Sequence, residues 1–369
     1  MSAAGFSVLA ACGRKRPTGF PGYALITVTG ENAVASVDLR TFQPARKLHL
    51  SATPSWVVAG PGSAAVLTPS NGTVHLIDPE QLVRLAALRL ADQADAIRYA
   101  PGENRLVGLS SGNRELIVAD LERRAIQTRL RLKGHPADFD LSPDPGSGSL
   151  RVAISGGKNG IVELVDLNTK QRRSTDLGAE LGSIRFRSDG KLILVANYST
   201  RALVVLDAAT LQTICELPLA MRPENLCFSA DFGQLFISGA GMDGLAIVFP
   251  YDTLEVEQTI LAGRAPGPMV CSLNPNYLFV ASRAGSAIGI LSVDSRKLIA
   301  VVQGGEGARR LLITPDQQYA LILNERSGDL AVIRIPSVKS NRLKNGASLF
   351  AMVPAGEKPA EMALVSQRS

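Results

Sequence analysis

SIRFRSDGKLILVANYSTRALVVLDAATLQTICELPL, residues 183 to 219, holds four short apolar runs separated by turn residues. Ile184 and Phe186 alternate with arginines, and Ser188-Asp189-Gly190 supplies a turn. Leu192 to Ala196 is a second run, Asn197 to Thr200 turns again, Leu203 to Leu206 is a third run and Thr213 to Leu217 a fourth. Period-two alternation punctuated by Gly and Asx at such short intervals predicts antiparallel strands joined by tight turns. No stretch of the chain shows helical periodicity of useful length.

The pattern recurs. The position after the third run is Asp38, Asp78, Asp120, Asp166, Asp207, Pro250, Ser292 and Arg334, in steps of 40, 42, 46, 41, 43, 42 and 42 residues. A period near 42 with four strands per copy is that of a β-propeller blade and is too long for leucine-rich or ankyrin repeats. The second runs give a separate count of eight, from Ala24 to Val28 through Tyr319 to Ile322. The expectation is an all-β chain of eight four-stranded antiparallel blades, or seven if one weak copy is misread. The copy from Pro136 to Thr175, with its DPGSGSL insertion, is the most irregular.

The ends predict how the ring closes. The first copy begins at its second strand, near Gly22, and Pro359 to Val365 resembles a first strand with no repeat after it. Pairing that C-terminal strand with residues 24 to 50 completes a blade and removes the open edges of an unclosed array. The chain therefore divides into residues 1–21, a tether, and 22–369, a single propeller domain.

VANYSTRALVVLDAAT, residues 195 to 210, together with the Gly-x-x-Pro turns Gly263-Arg264-Ala265-Pro266 and Gly356-Glu357-Lys358-Pro359, resembles the YVTN family of bacterial β-propeller repeats over roughly residues 22 to 366. The chain departs from that pattern at Pro250, Ser292 and Arg334, where the usual Asp is missing. The resemblance implies the fold. Its functional implications are broad, since such propellers include surface-layer proteins, secreted binding proteins, lactonases and haem- or quinone-linked enzymes.

Composition narrows that range. The formal charge is +6, but 39 Lys and Arg are scattered among 33 acidic residues, with no basic stripe interleaved with aromatics, so nucleic acid is not an expected partner. Three histidines, His49, His75 and His135, fall in separate repeats, which leaves little with which to build a His-rich metal site or a Ser-His-Asp triad. No CxxCH motif exists for haem attachment, and Trp56 is the single tryptophan, against the several that quinone-dependent propellers carry between blades. Cys215, Cys227 and Cys271 lack metal-site or redox spacing and are expected as free, packed thiols. No catalytic residue, cofactor or metal is expected.

In a propeller the loops between blades and those joining second to third strands emerge on one face, where function is expected. The inter-blade loops of the second half place Arg222, Arg264, Arg309 and Lys358 at nearly the same point before an innermost strand. Such an arc suits a carboxylate or phosphate, with arginine supplying bidentate hydrogen bonds. Asp92, Asp95, Glu180, Glu224, Glu306 and Glu357 lie in the same class of loops and favour a mixed, solvated rim instead. A calcium-dependent lactonase would need about 6 to 8 converging oxygen ligands. The candidates are Glu31, Asn32, Asn71, Asn113, Asn159, Asn197, Asp243 and Asp329, but nearly all sit where turns favour Asn and Asp anyway.

Leu9-Ala10-Ala11-Cys12-Gly13 matches the end of a bacterial lipoprotein signal, whose cysteine carries the lipid. The apolar run before it is only seven residues, with no preceding Lys or Arg, shorter than a full signal. The expectation is a truncated signal with Cys12 as the lipidation site, a possible membrane tether, and placement in the cell envelope as periplasmic or outer-membrane lipoprotein. A cytoplasmic protein is the alternative. The sequence thus points to a monomeric, non-enzymatic binding or scaffold propeller that presents its channel-mouth loops to a protein, peptide or small anionic ligand. A lactonase-type hydrolase of a small anionic substrate is the alternative.

Overall fold

A computed structural model describes residues 19–143, 149–178, 180–252, 254–338 and 349–367. Residues 1–18 of the tether, including Cys12, and most of the DPGSGSL insertion lie outside the described residues. The described strands form eight four-stranded antiparallel sheets in a ring, an eight-bladed β-propeller. The quoted stretch is blade 5, with strands Leu181–Phe186, Leu192–Asn197, Ala202–Asp207 and Thr213–Pro218 in that order from the axis outward.

Blade 1 is composite, as the ends predict. Its innermost strand is Pro359–Ser366, followed outward by Gly22–Val28, Ala33–Asp38 and Gln43–His49. The closing register pairs Tyr23 with Val365 and Leu25 with Ala363, and Gly30 N–H donates to Glu357 O at 3.0 Å beyond the strand end.

Second and third strands read as continuous apolar runs because neighbouring blades cover both of their faces. All of Leu192–Asn197 is buried, whereas the outermost strand of blade 1 is exposed at six of its seven positions. The core accordingly lies between blades, as in the cluster of Leu194, Leu203, Val205, Leu235 and Ile237 between blades 5 and 6.

The recurrent Asp after each third strand has a local cause. Asp207 Oδ1 accepts from Ala209 N at 2.9 Å and Thr210 N at 2.7 Å, and Asp78 and Asp166 do the same in their turns. Four residues on, Phe42, Leu82, Arg124, Lys170 and Leu211 each take a left-handed conformation that brings the chain back along the sheet. At Ser292 the hydroxyl replaces the carboxylate, accepting from Ser295 N at 3.2 Å. After Arg334 the chain instead makes a short 3-10 helix, Ile335–Ser337. At Ser292 and Arg334 the departure from the repeat is repaired locally, and the ring is kept.

Candidate functional site

The channel wall is built from the innermost strands, whose side chains alternate between sides. Four of these strands are Ala96–Tyr99 in blade 3, Pro136–Leu141 in blade 4, Leu181–Phe186 in blade 5 and Ala308–Ile313 in blade 8. In each, one backbone N–H closes the hairpin onto the second strand: Ala100 to Arg105, Ser142 to Arg151, Arg187 to Leu192 and Thr314 to Tyr319. Counting back two residues gives Arg98, Asp140 and Arg185. Counting back four gives Asp138 and Arg310, and the blade 1 strand adds Glu361. Phe139 and Ile184, between the charged positions, are fully buried.

Asp138 bridges three blades. Its Oδ2 accepts from Arg185 Nη1 at 2.6 Å and its Oδ1 from Arg98 Nη2 at 3.2 Å. Arg98 also donates through Nε to Phe139 O at 2.9 Å and lies over the Phe139 ring. Burial in the channel pushes the Asp138 carboxyl up, but the Arg185 and Arg98 guanidinium groups outweigh it and hold the group below the ordinary carboxylate range. Across the ring seam, Arg310 Nε meets Glu361 Oε1 at 3.0 Å.

Asp140 is placed differently. It accepts Phe186 N–H at 2.9 Å and forms no ion pair within 4 Å among the described residues. Burial raises its pKa, and the more distant charges of Arg185 and Arg98 only partly offset that. Burial also raises Glu361, with Arg310 offsetting it in part. Arg98, Asp140, Arg310 and Glu361 line one cavity of about 600 Å³, together with Trp56, Val58 and Leu312. Pro101 and Pro315, at its rim, belong to the hairpins between first and second strands, on the face opposite the inter-blade loops.

Three guanidinium groups (Arg98, Arg185, Arg310) meet three carboxyls (Asp138, Asp140, Glu361), so the set is neutral when all are ionised. With Asp140 protonated it carries one excess positive charge, and Asp140 becomes a hydrogen-bond donor. This arrangement can hold a small anion between Arg98 and Arg310. The residues were hidden to a reading centred on loops. The signal that finds them is polar residues at alternate positions of innermost strands, as in Asp138-Phe139-Asp140.

The predicted arc lies on the other face. Arg222 stacks on the Tyr198 ring, 4.3 Å from its centroid, and faces Glu180 at 3.5 Å. Arg309 faces Glu325 at 3.6 Å and borders a cavity of about 150 Å³ shared with Arg185, Glu224 and Arg310. Arg264 and Lys358 are exposed and form no ion pair among the described residues. Of the rim acids, Glu224 pairs with Arg283 and Asp92 with Arg89. Several oxygen candidates for calcium are engaged in local hydrogen bonds, in their own turns or in an adjoining loop. Asn197 Oδ1 accepts from Ser199 N and Thr200 N, Asn71 Oδ1 from Thr68 Oγ1 and Thr73 N, and Asp243 Oδ1 from Ala265 N. Cys215, Cys227 and Cys271 are free thiols, each partly buried.

No family model matches the sequence, and no curated protein matches it. Solved structures do. The chain is similar to dihydro-heme d1 dehydrogenase NirN in complex with DHE, at 14% identity and TM-score 0.72 over 95% of this chain and 77% of that one. It is similar to apo AztD from Citrobacter koseri, at 11% identity and TM-score 0.68 over 93% and 97%. A protein of Bacteroides fragilis NCTC 9343 assigned as a 6-phosphogluconolactonase aligns at 14% identity and TM-score 0.59 over 96% and 99%. At such identities the likeness is one of fold, that of the β-propeller.

Proposed function

We propose that this protein is a non-enzymatic binding propeller of the bacterial cell envelope, and that it holds a small carboxylate- or phosphate-bearing ligand in its channel. The observation that carries this reading is the cavity of about 600 Å³ in which Arg98 and Arg310 face Asp140 and Glu361. That volume suits a small molecule, and it is mainly apolar with a few convergent charged groups, the usual make-up of a ligand site. The two carboxyls with raised pKa let the site gain positive charge when a ligand brings negative charge. Catalysis is not supported to the same degree, since calcium-type oxygens such as Asn71 and Asn197 are committed to turns and, among the described residues, no nucleophile with a positioned base lines the cavity.

Arg264 and Lys358, with Arg222 and Arg309, make the opposite face a second contact surface, suited to an anionic segment of a protein or peptide partner. The motifs around residues 195 to 210 support YVTN-type repeats, and the Leu9 to Gly13 motif supports lipidation at Cys12 and an envelope location for a monomer. The test of the channel reading is calorimetric titration with a panel of small dicarboxylates and sugar phosphates. Binding that is lost in an Arg98→Ala, Arg310→Ala variant of unchanged fold supports it. No heat from any member, or binding indifferent to both arginines, removes it.

A further inference from the structure

Two cysteine sulfurs meet between blades 6 and 7, and a methionine packs on the same apolar cluster. Cys227 lies on the innermost strand of blade 6, Arg222–Phe228, and Cys271 on that of blade 7, Pro266–Cys271. Their Sγ atoms are 4.0 Å apart. The sequence suggests similar positions for the two, but the hairpin register separates them by one residue. Cys227 is two residues before Ser229, whose N–H bonds to Gln234 O, whereas Cys271 is one before Ser272, whose N–H bonds to Tyr277 O. Because side chains alternate along a strand, that offset turns Cys227 toward blade 7 and Cys271 toward blade 6. Met269, two residues before Cys271, shares its face. All three pack on one apolar cluster that includes Phe236, Leu245, Leu278 and Val280. Cys227 and Met269 also line the cavity of about 150 Å³ that borders Arg185 and Arg310, so these two side chains are reached from the channel side.

We propose that Cys227, Cys271 and Met269 form a binding site for a soft monovalent cation of the Cu(I) class. Thiolate and thioether sulfurs are the soft donors that select such an ion. Metal–sulfur bonds of about 2.3 Å, the zinc–thiolate value, drawn from two sulfurs 4.0 Å apart meet at an angle of about 120°. That is the trigonal angle, and it leaves a third position for the Met269 thioether. Structural zinc asks for four N, S or O donors in a tetrahedron. Among the described residues no three His, Cys, Asp or Glu side chains group to hold a metal, so the donor set works against zinc.

Binding exchanges two thiol protons for the cation. Two S–H bonds break, two S–metal bonds form, both protons pass to solvent and no electron moves.

The test uses the reduced full chain with Cys12 and Cys215 changed to serine, under anaerobic conditions, titrated with Cu(I) held by a coloured chelator. Zn(II) is the counter-probe, and Ag(I) followed by native mass spectrometry is a second readout that needs no further variant. One equivalent of Cu(I) and of Ag(I) is expected to be retained, and no Zn(II). Cys227→Ser and Cys271→Ser are each expected to weaken Cu(I) retention by about 100-fold or more, and Met269→Leu by about 10-fold, since even outer-shell partners are worth 10- to 100-fold in affinity. Equal retention in the Cys227→Ser, Cys271→Ser double variant overturns the proposal, as does preferential retention of Zn(II). Recovery of a chain lighter by two hydrogens, with the copper left in solution, overturns it in favour of a disulfide-forming pair.

Discussion

Arg310 of blade 8 donates through Nε to the Glu361 carboxylate of blade 1 at 3.0 Å, so an ion pair in the channel spans the seam that strand pairing closes. Asp138 performs the related task across blades 3, 4 and 5 through Arg98 and Arg185. Charged side chains of a propeller channel thus tie neighbouring blades together. One carboxyl of the set, Asp140, is left with a single backbone donor.

Asp138→Asn is expected to destabilise the fold by about 3 kcal/mol, because removing one member of a buried ionic cluster leaves the others uncompensated. The figure is taken at the low end, since the three side chains keep 22 to 29% exposure to channel water. The Asp138 pKa is lowered in the folded state, so its stabilisation is present above the unfolded value near 3.8 and is lost as pH falls through the folded value. Urea melts from pH 7 down to pH 2 check both statements. A variant as stable as wild type at pH 7 contradicts the three-blade bridge.

Asp140→Asn is expected to act in the opposite direction. A carboxyl whose folded pKa is raised binds its proton more tightly folded than unfolded, so its ionisation costs stability as pH rises from the unfolded value of 3.8 through the folded one. The variant should melt higher than wild type at pH 7 to 8 and the same near pH 3. Glu361→Gln should behave alike, more weakly, because Arg310 is about half exposed and offsets part of the burial. Lower melting of Asp140→Asn at pH 8 contradicts the assignment.

Deletion of residues 359–369 removes the innermost strand of blade 1 and exposes the edge of Gly22–Val28. The product is expected to aggregate or to lose its cooperative melt, because an open edge next to two uncovered blades invites pairing with other chains. A soluble, cooperatively melting truncation contradicts closure by this strand.

The repeat was legible because each blade carries the same local chemistry. Asp207 caps its turn, Leu211 takes the left-handed position, and the middle strands are mainly apolar. Even the composite blade followed from where Gly22 and Pro359 fall in the repeat. The channel was not legible in the same way. Arg98, Asp140 and Arg310 come from blades far apart in sequence, and only the hairpin register shows that they face one space. Arg222 was visible as a cation, but its stacking on Tyr198 was not, because Gly182 opens the room for that ring; a Cβ there would sit 2.0 Å from it.

Gly182→Ala is therefore expected to displace Tyr198 and release Arg222, at about 1 to 3 kcal/mol of stability, the usual range for overpacking. A lower melting temperature of the variant checks it. An unchanged melt contradicts the close approach.

The channel reading is tested most directly by titrating the protein with inorganic sulfate, whose charge is constant across the range, by calorimetry from pH 4 to 8. The groups facing Asp140 are Arg98, Arg185, Asp138, Arg310 and Glu361. The anion is expected to bind more tightly as pH falls and Asp140 takes up its proton, and Asp140→Asn is expected to keep the low-pH affinity at pH 8. Sulfate that fails to bind at any pH, or that binds with the same affinity in wild type and Asp140→Asn throughout, contradicts an anion site in the channel.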